Sequence, residues 1–158
     1  NRSNKEVVVY ISMGFGNPYG DDYSVEMVAQ FVDILSAMGV KIISLADTIG
    51  VSNQENITYL YSTLIEQFPT VEFGAHLHSN PKTAREKLTY AYDAGCTRFD
   101  GAIRGFGGCP MAKDDLIGNI ATEEIISFFE NRGVELSLNR LEFDNSIVAS
   151  GAVFDHFH

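Results

Sequence analysis

Apolar and polar positions along this chain switch repeatedly between two periods. The first run, Val7-Val8-Val9-Tyr10-Ile11-Ser12, is β-branched and almost continuously apolar, the pattern of a strand buried on both faces in a parallel sheet. A glycine-rich polar stretch, Met13 to Asp22, follows it. From Ser24 the apolar residues Val28, Phe31, Val32, Leu35 and Met38 fall at helical spacing, and Gly39 closes that element as a C-cap. The pairing then recurs. A strand from Lys41 to Asp47 precedes Ser52-Asn53-Gln54-Glu55, which reads as a capping box in which Ser52 and Glu55 satisfy free amides of a helix reaching about Phe68. A strand from Val71 to His76 precedes a helix that starts near Pro81, where a missing amide costs nothing, and ends by Gly95. A fourth strand, Arg98 to Ile103, leads through a long loop to a helix from about Thr122 to Arg132. The strand-helix units are thus 6–39, 41–69, 71–95 and 98–132 of a single domain, with a tail at 133–158 whose stretch from Leu141 shows no clear period.

Strands alternating with helices through short connections predict an α/β fold with a parallel sheet covered by helices. A small doubly wound sheet and part of a (β/α)8 barrel both satisfy that pattern. Asp47, His76 and Arg104 fall at or just beyond successive strand ends, and the glycine-rich loop after the first strand occupies the equivalent place. A ring of polar groups at carboxyl ends of strands favours the barrel of TIM type. Because a complete barrel takes roughly 250 residues, the expectation is a half barrel of about four units whose first and last strands leave exposed edges. Unpaired edges seek partners, so either a missing amino-terminal half or a second copy is expected to cover them.

Composition narrows the partners. The chain has 158 residues, 45% of them hydrophobic, enough for one real core. A formal charge of −10 argues against a nucleic-acid partner, which needs clustered Lys and Arg. No apolar run approaches the roughly 20 residues of a membrane helix. Two cysteines, Cys96 and Cys109, make no disulfide framework, and no secretory leader opens the sequence, so a reducing cytoplasm is the expected setting.

His76 and His78 lie two apart, so on a strand both imidazoles leave the same face and can approach one ion. The alternative is one hydrogen-bonded and one exposed histidine. Mg2+ or Mn2+ suits nitrogen ligands supplemented by oxygen donors, with Zn2+ also compatible. Cys109 follows Gly105, Gly107 and Gly108 and precedes Pro110, a loop able to bend close to a substrate and to move, so its thiol is a candidate acid or base; a buried inert thiol is the competing reading, which suits Cys96 better. Asn119 offers an amide oxygen or caps a turn. Asp47 and Thr48 are expected to face the same side as the histidines, or to form a turn closed by Gly50. Arg104 is a candidate for an anionic group, or pairs with an acidic residue.

The stretch Gly107-Gly108-Cys109-Pro110-Met111-Ala112 resembles the signature of 3-hydroxy-3-methylglutaryl-CoA lyases, metal-dependent TIM barrels. Ser44-Leu45-Ala46-Asp47-Thr48-Ile49-Gly50, His76-Leu77-His78 and Gly118-Asn119 followed by Ala121-Thr122-Glu123 resemble the family in the same order, from Val7 to about Arg132. The first two of these are shared with isopropylmalate and homocitrate synthases; the cysteine loop is specific to the lyases. The resemblance implies that His76, His78 and Asn119 are ligands of a divalent cation, Cys109 a mobile catalytic thiol, Asp47 and Glu123 supporting carboxylates, and Thr48, Arg104, Gly107 and Gly108 substrate contacts. It implies cleavage of an acyl-CoA, 3-hydroxy-3-methylglutaryl-CoA, to acetyl-CoA and acetoacetate. Three departures stand out. No aspartate-arginine pair of the family's first strand precedes Val7, Ser79 replaces the usual aspartate after the second histidine, and Met111 replaces an aromatic. The match is therefore to a carboxyl-terminal half, expected to be poorly active alone. A related aldolase or acyl-CoA condensing enzyme, and a noncatalytic half-barrel assembly module, are the alternatives.

Overall fold

The computed structural model describes residues 5–108 and 117–154. Four parallel strands, β1 (Val8–Ile11), β2 (Ile42–Asp47), β3 (Glu72–Ser79) and β4 (Arg98–Phe99), lie in the order of the chain. Between them run the helices α1 (Val25–Ala37), α2 (Gln54–Gln67) and α3 (Ala84–Asp93). Every residue of β2 is buried, in keeping with a central parallel strand that carries no polar-apolar alternation.

Two faces follow from the pairing register. Ile43, Leu45, Phe73, Ala75 and Leu77 join Val28, Val32, Ile57, Leu60, Leu64, Leu88 and Ala91 of the helices in one core. Alternate residues therefore leave the sheet on the opposite side, where Tyr10 pairs with Ser44 and Ala46 with His76. This is the α/β architecture of a partial barrel: helices on one face, and a polar face of Tyr10, Ser44, His76 and His78 on the other.

Several expectations are corrected. The third strand continues past His76 to Ser79, and the fourth stops at Phe99 rather than Ile103, giving way to a 3₁₀ turn at Ile103–Gly105. A short strand, β5 (Gly118–Asn119), runs antiparallel to β3, so the sheet is mixed rather than purely parallel. Its pairing with β3 brings residues from beyond the cysteine loop back to the histidines. Helix α2 is capped by Asn53, in a reciprocal box with Asn56, because the hydroxyl of Ser52 is engaged elsewhere. Helix α3 begins at Ala84, after a turn in which the Asn80 side chain accepts from the amides of Lys82 and Thr83. After α4 (Thr122–Glu130) the tail forms a fifth helix, α5 (Arg140–Phe154), joined to the rest by an Arg140–Glu130 ion pair and by Phe154 stacked on Phe106, centroids 4.4 Å apart. Among the described residues no helix is long and apolar enough to cross a membrane.

Candidate metal and substrate site

His76 and His78 stand on one face of β3 with ring centroids 5.3 Å apart. The Nδ1 of His78 lies 3.0 Å from the carbonyl oxygen of Thr48. A carbonyl only accepts, so Nδ1 carries a proton, and of the two neutral tautomers this contact selects the one whose lone pair is on Nε2, as a metal ligand needs. His76 is packed edge-on against Tyr10, and its Nδ1 is buried with no hydrogen-bond partner among the described residues. Burial, then the neighbouring His78, holds its pKa below the ordinary value, with Asp100 opposing, a shift that favours the neutral ring a ligand needs.

The antiparallel bridge sets Asn119 directly opposite His78. Its Nδ2 donates to the carbonyls of Phe106, at 2.9 Å, and Gly107, at 3.3 Å, while the Gly107 carbonyl also accepts the Asn119 amide. The amide is thereby oriented with Oδ1 left over, buried and without a partner among the described residues. Gly107 is required for this clasp. Its φ is +88°, and a Cβ there would stand 2.9 Å from Asn119 Nδ2. Gly108 forms an isolated bridge with Gly118, the residue before Asn119.

A buried polar atom without a partner is uncommon and calls for an explanation. Here His76 on β3 and Asn119 on β5, strands paired with each other, each contribute one. Among the described residues no cluster of three or more His, Cys, Asp or Glu side chains is arranged to hold an ion. The candidate set is instead two imidazoles and an amide oxygen, and this donor chemistry fits a divalent cation whose remaining positions come from outside these residues.

Other predicted residues are placed differently. Asp47 does not face the histidines. Because Ala46, not Asp47, is level with His76, the Asp47 side chain leaves the opposite face, fully buried, where it accepts from the Val51 and Ser52 amides, the Ser52 hydroxyl and the Lys87 ammonium. Thr48 is near the histidines through its carbonyl, while its hydroxyl accepts from the Met13 amide. Glu123 accepts with both carboxylate oxygens from the Arg104 amide, bracing that residue at φ 59°, and the Arg104 guanidinium lies over the Phe106 ring at 4.8 Å. Cys109 and its flanking Pro110 and Met111 lie outside the described residues.

Sequence reasoning missed Asp100. Its carboxylate accepts from Tyr10 Oη at 2.9 Å and Ser44 Oγ at 3.0 Å, and with Tyr10, His76, Phe99, Gly101, Thr122 and Ile125 it lines an open cavity of about 600 Å3. The signal was available in principle: Asp100 falls at a strand end, but the expected strand ran past it. Lys87 was also missed, since a lysine on a helix ordinarily reads as solvated.

Strands whose carboxyl ends gather two imidazoles, an amide and a carboxylate beside an open cavity define part of a β/α barrel with its candidate site at the end where such barrels carry theirs. The chain belongs to the HMGL-like family, whose model matches residues 4–146. It is 33% identical over 137 residues to hydroxymethylglutaryl-CoA lyase YngG of Bacillus subtilis, covering 87% of this chain and 46% of that protein. It is 32% identical over 131 residues to the (R)-citramalyl-CoA lyase of Chloroflexus aurantiacus, covering 83% and 41%. The crystal structure of the Bacillus subtilis HMG-CoA lyase superposes with a TM-score of 0.86 at 30% identity, over 96% of this chain and 50% of that one. The chain spans half or less of the length of each of these proteins.

Proposed function

We propose that this chain supplies the His-x-His and cysteine-loop part of a metal-assisted carbon–carbon lyase of the hydroxymethylglutaryl-CoA lyase type, acting on an acyl-CoA. The observation that carries this is the pair of buried atoms, His76 Nδ1 and Asn119 Oδ1, that have no partner among the described residues, beside a His78 whose Nδ1 is engaged by the Thr48 carbonyl. Mg2+ or Mn2+ is the expected ion; bound there, it would polarise hydroxyl and carboxylate oxygens of the substrate. His76, His78 and Asn119 would hold it, and the Gly107 carbonyl keeps Asn119 oriented. The cavity bounded by Tyr10, His76 and Asp100 receives the acyl portion. Cys109, in the lyase-like loop, delivers the proton that the departing thioester carbanion requires. Glu123 and Thr48 serve by positioning Arg104 and His78.

The relatives' names differ in the acyl group they cleave, so 3-hydroxy-3-methylglutaryl-CoA is the first substrate to test and citramalyl-CoA the second. In this reading the four units are one part of a longer barrel, since the chain spans about half the length of the relatives it matches. The test is Mn2+ binding followed by electron paramagnetic resonance, together with acetyl-CoA release. His76→Ala or Asn119→Ala is expected to weaken Mn2+ binding about 10–100-fold. In the longer protein Cys109→Ser is expected to leave binding intact and cut turnover about 100-fold or more. Unchanged Mn2+ affinity in both ligand variants defeats the site, and unchanged turnover removes the thiol from the reaction.

A further inference from the structure

We propose that Lys87 is a positioning residue for His78, acting with Asp47 from the helix-covered side of the sheet; the inference rests on reading His78 as a ligand. The Lys87 side chain is only 8% exposed and that of Asp47 is not exposed at all. An ammonium has three N–H groups, and Lys87 has three acceptors for them: Asp47 Oδ2 at 2.7 Å, the His78 carbonyl at 2.8 Å and the Gly50 carbonyl at 3.2 Å. Asp47 is equally saturated, by the Val51 and Ser52 amides, the Ser52 hydroxyl and Lys87.

The pair reaches His78 by two routes. Lys87 grips the His78 carbonyl directly. Through Asp47 and Gly50 it also secures the loop after β2, which presents the Thr48 carbonyl to His78 Nδ1. The Met13 amide, donating to the Thr48 hydroxyl at 2.9 Å, steadies the same loop from the first unit. The backbone of His78 and the group that selects its tautomer are thus referred to one buried charge. Buried ion pairs add little net stability compared with apolar side chains of similar size, yet breaking one partner is costly. Positioning of the imidazole is the role this geometry serves beyond stability.

The experiment compares the full chain with Lys87→Met and with the doubly substituted Asp47→Leu/Lys87→Met. The single variant leaves Asp47 buried and unpaired and is expected to be unstable; the double removes both charges and is expected to stay folded by circular dichroism. In the metal-free double variant, 15N NMR of the imidazoles is expected to show His78 losing its preference for the Nδ1–H tautomer while His76 is unchanged, and Mn2+ affinity is expected to fall about 10–100-fold. A folded double variant with wild-type His78 tautomer and wild-type Mn2+ affinity overturns the inference. Loss of the tautomer preference in a chain that binds no Mn2+ even as wild type supports the positioning role and overturns the metal reading instead.

Discussion

Cys96 is held against the carbonyls of Arg98, at 3.2 Å, and Phe73, at 3.5 Å, inside the core. Burial pushes its thiol pKa up to about 12, whereas an unfolded cysteine titrates near about 8.5. Between those values the unfolded chain has released the proton that the folded chain keeps, so stability falls as pH rises through that window, by at most about 1.4 kcal/mol per pH unit. Urea midpoints at pH 8 and pH 10 are expected to show this, with a shallower fall in Cys96→Ala; identical slopes would remove the thiol from the effect. The same residue was legible in advance as an inert core thiol, from its place between a helix end and an apolar strand. His76 and His78 were legible too, because a spacing of two puts them on one face of any strand. Asp47 was not: which face it takes depends on the register between β2 and β3, and Ala46 opposite His76 decides that. Nor was Lys87, whose acceptors come from residues far along the chain.

Among the elements, α2 shows how helical period and burial agree. Ile57, Leu60, Tyr61 and Leu64 form its buried stripe, and all four are fully buried. Leu60→Ala is expected to cost about 2–5 kcal/mol, transfer and cavity together, read as a drop in the urea midpoint; a change under about 1 kcal/mol would mean that the site collapses around the gap. The exposed position Tyr59 on the same helix has no such contact, and Tyr59→Ala is expected to stay within about 0.5 kcal/mol. Helix α5 is the opposite case. None of its residues is buried, so it carries no apolar stripe, and periodicity could not announce it. Strand β5 is two residues long and exists through its pairing with β3, which no local pattern encodes.

For the molecule as a whole, the sheet ends at β1 and β4. Beside β1, the side chains of Tyr10, Phe31 and Ile34 are exposed, and an apolar groove runs along Val9, Ile11, Phe31, Ile34 and Leu35. Such a face next to a free strand edge favours association. Sedimentation velocity of the 158-residue chain is expected to show concentration-dependent self-association that Phe31→Ser reduces; a monomer at every concentration would show that the edge is not used between copies. The chain's own order of apolar runs, caps and glycines determined the succession of strands and helices, the α/β class and the shared face of the histidine pair, because these depend on periods of two and 3.6 that any local segment displays, while the polar residues at strand ends were what favoured the barrel. Tertiary structure alone decided that Asp47 turns away from the histidines toward Lys87, that Asn119 meets His78 across β5, and that Asp100 joins Tyr10 and Ser44 at the cavity. Those outcomes depend on strand register and on contacts between residues tens of positions apart, and the free energy of burying and pairing their polar groups arises only once the strands are side by side.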